Sequence, residues 1–338
     1  MDLNTIWFLL VGILIIGYAI LDGYDLGIGA LHFFAKNERE RRIHLNAIGP
    51  LWDGNEVWLL TGGGALFAAF PVVYATVFSG LYTALMLLLA ALIFRAVAIE
   101  FRSKVEDSRW RSFWDYAFSI GSILPAVLLG IAFGNILRGL PLDQQGNYTG
   151  SFFGLLNPFS VLVGLVSLAA FTAHGAIFLA MKSDGELLKR LSALIPKLWL
   201  SFVALYLVAS VTAVFTAPLL FDDSLSDPLF WILLLPLVGA MLYMPVAAKS
   251  GKFFRAFIAS SVTIALMIGE AALSLFPRLV PSLTDVRYSL DIYNAASTPQ
   301  TQTIMLIIAL IGMPLVLLYT VYIHRVFRGQ VILHEDSY

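Results

Sequence analysis

The sequence predicts an all-α polytopic membrane protein with about nine transmembrane helices. Of its 338 residues, 59% are hydrophobic and 13% are charged, and the mean hydropathy is +0.84. A soluble domain carries about 25% charged residues, and several apolar runs here exceed the roughly 20 residues that cross a bilayer. These runs lack the alternation of a transmembrane barrel, so helices are the way left to satisfy backbone groups in lipid.

The spans form one integral membrane domain over residues 1–338, without an internal repeat or a soluble domain. We expect the first span to be retained, because "MDLNTIW" lacks basic residues and the apolar run after it is too long for a signal peptide. In order, the predicted spans are about 6–34, 56–76, 79–101, 114–138, 158–181, 198–218, 229–248, 253–276 and 303–325.

The distribution of Lys and Arg predicts how these spans are oriented. Of the 21 basic residues, 17 lie in the loops after spans one, three, five and seven and in the C-terminal tail, whereas three lie in the other loops. Basic residues favour the cytoplasmic side. The N-terminus is therefore expected outside and the C-terminus in the cytoplasm. The outer loops are expected at 139–153, 281–302 and the acidic "FDDSLSDP" (221–228), and the first two are long enough to cap a site or a partner.

Composition also limits the chemistry that the chain can hold. There is no cysteine, which excludes disulfides, thiolate-held iron–sulfur clusters and covalent haem attachment through CxxCH. Five histidines leave an imidazole ligand open, but no metal-binding motif is evident. "TGGGA" (61–65) lacks a lysine and lies inside a span, so it predicts helix packing rather than a phosphate site. The net charge of −1 gives no indication of nucleic-acid binding.

Ionisable residues inside spans are costly and usually face a partner or a water-filled path. Asp22 and Asp25 are three residues apart in "LDGYDLGIG", near the cytoplasmic end of span one, and so share one face of the helix. They either hydrogen-bond a neighbouring helix or belong to a functional site. Arg95 and Glu100 lie near the cytoplasmic end of span three. A buried arginine needs a counter-charge, and Asp25 or Asp53 is the expected partner of Arg95, while Glu100 can pair with Lys104 at the rim.

The stretch "PLWDGNEVW" places Asp53 and Glu56 between Trp52 and Trp58 at the start of span two. One interpretation is a capping box, with Asp53 as the N-cap and Glu56 three residues on. The tryptophans then act as interfacial anchors. The other interpretation is functional, since Gly54 and Asn55 are poor helix formers. Together, Asp22, Asp25, Asp53, Glu56, Arg95 and Glu100 predict a polar inlet from the cytoplasm, built from the carboxylates typical of proton relays.

Two further ionisable residues lie within the spans. His174 in "TAHGAIF" is interpreted as a satisfied core residue, because no partner for it is evident. Glu270 in "MIGEAALSLFP" lies towards the outside and fits either a helix interface or an exit path.

Several stretches resemble subunit II of the cytochrome bd-type quinol oxidases. They are "LDGYDLGIGAL", the run from "RRIHLNAIGPLWDGNEVWLLTGGGALFAAF" to "IFRAVAIEFRSK", "FPRLVPS" and "SLDIYNAAS". The resemblance is dense over about residues 15–160 and returns near 174–182 and 276–320, whereas 183–260 match only as apolar helix.

The resemblance implies a terminal oxidase that oxidises ubiquinol or menaquinol, reduces dioxygen to water and draws protons from the cytoplasm. In that family two haems b and one haem d are ligated by subunit I. Subunit II has two four-helix bundles and a peripheral ninth helix, supports haem assembly, carries part of a proton route and can shelter a quinone. This chain would then have no catalytic or metal-binding residue of its own and would be inactive alone. Its implied partners are subunit I, the quinol, dioxygen and the bilayer of the bacterial inner membrane. Whether an additional small subunit joins the complex stays open.

Carried over by position, Asp53 matches an acidic residue of the proton route and Asp25 a second aspartate of the polar channel. Trp58 and Arg95 match the same helical core, and Glu56 is expected to be an accessory. Glu270 departs from the uncharged residue expected there. Two other hypotheses remain: a secondary transporter that uses the acids as a coupling-ion site, which the lack of repeats disfavours, and a purely structural partner of the haem-binding subunit.

Overall fold

The computed structural model describes residues 2–221 and 226–333, and within them the chain is built almost entirely from helices. Eight helices there are long and apolar enough to cross a membrane, which confirms the all-α polytopic fold. Part of the predicted acidic loop, residues 222–225, lies outside the described residues. The helices are α1 (Leu3–Leu31), α2 (Glu38–Ile48), α3 (Trp52–Ala69), α4 (Pro71–Gly80), α5 (Tyr82–Phe101), α6 (Ser108–Arg138), α7 (Pro158–Lys182), α8 (Gly185–Thr216), α9 (Pro228–Lys249), α10 (Phe253–Leu275) and α11 (Pro299–Val326).

Several helices begin where the sequence supplies a polar N-cap. Asp2 accepts a hydrogen bond from the Thr5 amide at the start of α1, and Asn37 accepts one from the Glu40 amide at the start of α2. Asn157 and Thr298 cap α7 and α11 in the same way, and each precedes a proline. Proline fits the first helical position because its missing N–H needs no partner there.

The predicted second span, 56–76, is divided between α3 and α4. The break falls at Phe70, whose backbone is not helical (φ −135°, ψ 67°), directly before Pro71. Proline disfavours the helical conformation in the residue before it and cannot donate to the preceding turn. The hydropathy pattern is continuous across this point, so it did not predict the break.

Three other features were not predicted: helix α2, the early start of α8 and a small sheet. Helix α2 lies between the first two spans, and α8 begins at Gly185 rather than near 198, because its charged first turns continue the helix beyond the apolar segment. A two-stranded antiparallel sheet joins β1 (Arg278–Val280) to β2 (Leu290–Asp291). The loops that hold these strands pack with residues 140–155 on α1 and α4, forming a second buried cluster that includes Trp7, Phe70 and Ile292.

The main core lies around α1, α6 and α7, which pack on one another, while α7 also packs on α8 and α9 packs on α10. Helix α11 contacts α3 and α1, and of its residues, all of which are described, only Gln302 is buried. The peripheral position of the last helix stays a prediction. The division into two four-helix bundles stays a prediction.

The closest approach of α1 and α7 depends on Gly27 and Gly175. A Cβ at Gly27 would overlap the Phe171 carbonyl oxygen, and one at Gly175 would overlap the Gly27 backbone. Because the obstacle is backbone, the two helices would have to move apart. Small residues allow this kind of contact between membrane helices.

We expect Gly27→Ala to lower the thermal stability of the protein in its complex, because overpacking costs about 1–3 kcal/mol. The thermal midpoint of the purified complex measures this. Gly12→Ala is the matched control on the same helix, since a Cβ there would meet nothing within 4 Å. Equal midpoints for the two variants would show that the α1–α7 contact tolerates a wider spacing.

Candidate functional site

The buried Arg95 of α5 is surrounded by three carboxyl groups. Its guanidinium donates to both oxygens of Asp22 at 2.6 and 3.0 Å and to Glu56 Oε1 at 3.2 Å. An Asp25 oxygen lies 3.8 Å away. The side chains of Asp22, Asp25 and Arg95 have no exposed surface, whereas a quarter of the Glu56 side chain is exposed. We call these four residues the Arg95 cluster.

Of the two expected partners of Arg95, Asp25 forms an ion pair at 3.8 Å and Asp53 does not. The closer, bidentate pair is made with Asp22, which was not expected as the partner. Asp22 and Asp25 share a face of α1, as their spacing predicts, and Asp22 points its carboxylate at α5. Asp53 is exposed in the first turn of α3 and has no ion pair with Arg95 within the described part of the chain.

The capping-box interpretation is wrong. Helix α3 begins at Trp52, its N-cap is Leu51, and no side chain caps it. Asp53 therefore lies inside the first turn, where the helix dipole favours a negative charge. Glu56 turns towards Arg95 instead of reaching back to the N-cap. The two acids thus lie one turn apart, the first exposed and the second half-buried.

The other predicted residues lie outside the Arg95 cluster. Trp58 is buried against Leu14 and Tyr18 rather than placed at an interface, and its ring covers Gly17. Trp52 is partly buried against the main core. Glu100 is half-buried near the end of α5 and is not part of the ion pairs around Arg95.

Asn55 is a site residue that the sequence analysis did not identify. Its Nδ2 donates to Asp25 Oδ2 and to the Tyr24 hydroxyl, both at 2.8 Å. The Tyr24 hydroxyl in turn lies 3.1 Å from His324 Nε2 on α11. The position of this asparagine beside Asp53 and Glu56 in an apolar run was the signal that could have identified it. The contact between Tyr24 and His324 had no such signal, because the two residues are 300 positions apart in sequence.

A second ionic cluster lies where α1, α2, α5 and α6 end or begin. Arg102 pairs with Asp115 at 2.5 Å and with both oxygens of Glu38 at 2.8 and 2.9 Å. His32 Nε2 lies 2.7 Å from the same Asp115 carboxylate. Hydrogen bonds from Arg102 hold the pKa of Glu38 below its usual value. These contacts tie α2 to the membrane helices.

The two remaining embedded groups differ in how they are satisfied. His174 is buried, with Nδ1 at 2.7 Å from the Ser260 hydroxyl and Nε2 at 3.1 Å from the Ile20 carbonyl. This confirms the interpretation of a satisfied core histidine. Glu270 is buried in α10, and its Oε1 has no hydrogen-bond partner among the described residues.

Two of the four described histidines are committed to hydrogen bonds and do not fit a haem iron. His174 and His324 use both ring nitrogens in hydrogen bonds. His32 Nε2 is held by Asp115. His32 Nδ1 and both ring nitrogens of His44 have no hydrogen-bond partner among the described residues, and both rings are buried. Over residues 2–221 and 226–333 no group of three or more His, Asp or Glu side chains is arranged to hold a metal ion. No step is therefore assigned to a metal or haem in this chain.

Comparisons with known proteins agree along nearly the whole chain. The profile of the family described as Cytochrome bd terminal oxidase subunit II matches residues 3–327. The chain is 38% identical to the Cytochrome bd-I ubiquinol oxidase subunit 2 of Escherichia coli strain K12, over 97% of this chain and 95% of the relative. It is 35% identical to the Cytochrome bd ubiquinol oxidase subunit 2 of Bacillus subtilis strain 168, over 98% and 97%.

A solved structure has the same fold. One chain of the bd oxidase from Geobacillus thermodenitrificans superposes with a TM-score of 0.81, covering 97% of this chain and 99% of that chain. The sequence identity is 18%, so this likeness concerns the fold alone.

Proposed function

The chain belongs to the cytochrome bd terminal oxidase subunit II family, and from that premise we propose that it supplies protons to the oxidase through the Arg95 cluster. As a family member it is a subunit of a quinol oxidase in the bacterial inner membrane, alongside a subunit I and the haem of the complex. We propose further that subunit I ligates two haems b and one haem d. In this scheme ubiquinol or menaquinol is oxidised and dioxygen is reduced to water.

The observation that carries the proposal is the charge imbalance around Arg95. One guanidinium faces three carboxyl groups, and three of the four side chains are fully buried. Each ion taken out of water without compensation costs several kcal/mol. The cluster is therefore most stable when a carboxyl group carries a proton. A group of this kind can load and release protons while Arg95 stays charged.

The geometry suggests a direction for the route. With the N-terminus outside, as the distribution of basic residues predicts, the start of α3 faces the cytoplasm. Asp53 is exposed there, Glu56 is one turn further in, and Asp25 is fully buried beyond Arg95. Asp25 Oδ1 has no hydrogen-bond partner among the described residues, which makes it the atom open to an incoming proton.

A purely structural role is the second candidate, and one observation favours it. The Arg95 cluster joins α1, α3 and α5, so it would hold these helices together even if no proton moved. The two candidate roles predict different results when a carboxyl group is replaced by an amide of the same shape. Turnover is lost if the group carries protons and is kept if the role is purely structural.

The assignment of haem to subunit I predicts a spectral result. The complex purified with its native partner should show b- and d-type haem absorption, whereas this chain expressed alone should be colourless. Both ring nitrogens of His174 and of His324 are used in hydrogen bonds, and no group of three or more His, Asp or Glu among the described residues is arranged to hold a metal ion. Haem retained by the isolated chain, at a stoichiometry that survives size-exclusion chromatography, would contradict the assignment.

We expect Asp53→Asn to slow quinol-driven oxygen consumption by several fold while haem content stays normal. The change removes the titratable group at the exposed end of the proposed route and breaks no capping bond, since α3 has none. Glu106→Gln is a suitable control, because Glu106 is also exposed and lies in a separate loop. Turnover equal to the control would remove Asp53 from the route. Glu56→Gln should have the smaller effect of an accessory.

A further inference from the structure

A chain of hydrogen bonds connects the last helix to Asp25. It begins at the Thr320 carbonyl of α11, passes through His324, Tyr24 and Asn55, and ends at Asp25 Oδ2. The links measure 2.8, 3.1, 2.8 and 2.8 Å. None of these linking residues was needed to build the Arg95 cluster, and the proposed route does not pass through them.

The chemistry of the groups gives this chain one direction. A carbonyl oxygen can only accept, so His324 Nδ1 carries the hydrogen and donates to Thr320. Nε2 of the neutral ring is then an acceptor, and the Tyr24 hydroxyl donates to it. With its hydrogen used, the Tyr24 oxygen accepts from Asn55 Nδ2. The same Nδ2 donates its other hydrogen to Asp25 Oδ2 at 2.8 Å, and the Leu21 carbonyl lies farther away, at 3.3 Å.

Packing keeps the members of this chain in place. The Tyr24 ring stacks on Phe178 with centroids 3.9 Å apart and meets the rings of Phe257 and His324 edge-on. The end of α11 is tied to α7 by two hydrogen bonds of Lys182. Its side-chain Nζ donates to the Phe327 carbonyl, and its backbone carbonyl accepts from the Val331 amide at 2.9 Å. His324 and Asn55 also line a small cleft between α3 and α11 with a volume of about 20 Å³, which is room for about one water molecule.

We infer that His324 is a positioning residue that, through Tyr24 and Asn55, fixes which hydrogen-bonding atom faces Asp25. When Asp25 carries a proton, the amide of Asn55 could otherwise turn and accept from the carboxyl O–H with its oxygen. His324 opposes this, because it accepts the only hydrogen of Tyr24 and so leaves the Tyr24 oxygen to accept from Asn55. The Leu21 carbonyl, 3.3 Å from Nδ2, favours the same orientation more weakly. The consequence is that Asp25 Oδ2 always receives a hydrogen bond and that Oδ1 is the atom left for a proton. This inference rests on the proposed role of Asp25 in proton supply.

The test compares three variants of the intact complex with its native partner. His324→Phe and Tyr24→Phe remove the acceptor and the hydroxyl of the chain, respectively, and keep a ring in place. His324→Gln retains an amide oxygen near the position of Nε2 and can still accept from Tyr24. We expect the two phenylalanine variants to lower kcat by several fold with an unchanged KM for quinol and unchanged haem content. His324→Gln should restore most of the turnover.

Redox-induced infrared difference spectra supply a readout beyond activity. The carboxyl band of protonated Asp25 is the one that Asp25→Asn removes, and its frequency reports the hydrogen bonds of that group. His324→Phe and Tyr24→Phe should shift this band, and His324→Gln should leave it near the wild-type frequency. If His324→Phe does not assemble, Tyr24→Phe makes the same test without altering α11.

Two failures are distinguishable. A wild-type band and wild-type kcat in both phenylalanine variants, with Asp25→Asn impaired, would overturn the inference and leave the proton route standing. Normal turnover in Asp25→Asn itself would overturn the proposed function, and the role of His324 with it.

Discussion

Arg95→Leu should prevent the oxidase from accumulating as an assembled, haem-containing complex. The substitution leaves Asp22, Asp25 and Glu56 facing one another without a cation, and the first two are fully buried. Removing one partner of a buried ion pair costs about 3–5 kcal/mol, which is a large part of the stability of a typical protein. Haem per milligram of membrane protein and the yield of intact complex measure the effect.

Arg255→Leu is the matched control for that experiment. Arg255 is an exposed residue of α10, so the same change in charge and shape should leave haem content unchanged. Arg95→Lys keeps the charge but loses the bidentate contact with Asp22. Its haem content and yield should lie between those of Arg95→Leu and Arg255→Leu. An Arg95→Leu complex with normal yield and haem content would mean that the three carboxyl groups do not depend on Arg95.

Asp25→Asn should assemble and bind haem yet lose nearly all quinol oxidase turnover. Asparagine has the shape of aspartate and can still pair with Asn55, so the packing around α1 is retained. It cannot take up a proton, and the loss of a positioned proton-transfer group lowers rates by about 10²–10⁴-fold. Oxygen consumption with excess quinol measures turnover, and reduced-minus-oxidised spectra measure haem.

Asp184→Asn is the control for Asp25→Asn. Asp184 pairs with Arg39 on the surface at 3.0 Å, with both side chains about half exposed or more. Such pairs contribute little, and we expect wild-type turnover. Full turnover in Asp25→Asn as well would support the purely structural role of the Arg95 cluster.

The fold was predictable because long apolar runs leave a chain in lipid few alternatives. Span limits agree with the helices to within a few residues where the change from apolar to polar is sharp, as at α7 and α10. They fail where local chemistry acts within a run of uniform hydropathy. Pro71 divides the second span, and the first turns of α8 continue a helix through charged residues.

The candidate site was predictable in membership but not in pairing. Charge inside an apolar span identified Asp22, Asp25, Glu56 and Arg95, because each is costly unless it has a partner. Which acid meets Arg95 depends on the rotation of α1 against α5, which a sequence does not reveal. The neutral members of the network are less visible in the sequence: Asn55 is indicated only by its place in an apolar run, and nothing in the sequence connects Tyr24 to His324. Asp53 is a different case. It is exposed and lies outside the Arg95 cluster, so its role stays a prediction from resemblance and position.

Proton uptake during a single turnover tests the central claim most directly. The fully reduced complex is mixed with oxygen in weak buffer with a pH dye, and uptake is followed for the wild type and for Asp25→Asn at equal haem content. The account predicts that oxygen still binds at the wild-type rate in Asp25→Asn while proton uptake slows by at least about tenfold, in line with a lost proton-transfer group. Proton uptake at the wild-type rate would show that the protons reach the oxygen-reducing site without this chain's buried carboxylates.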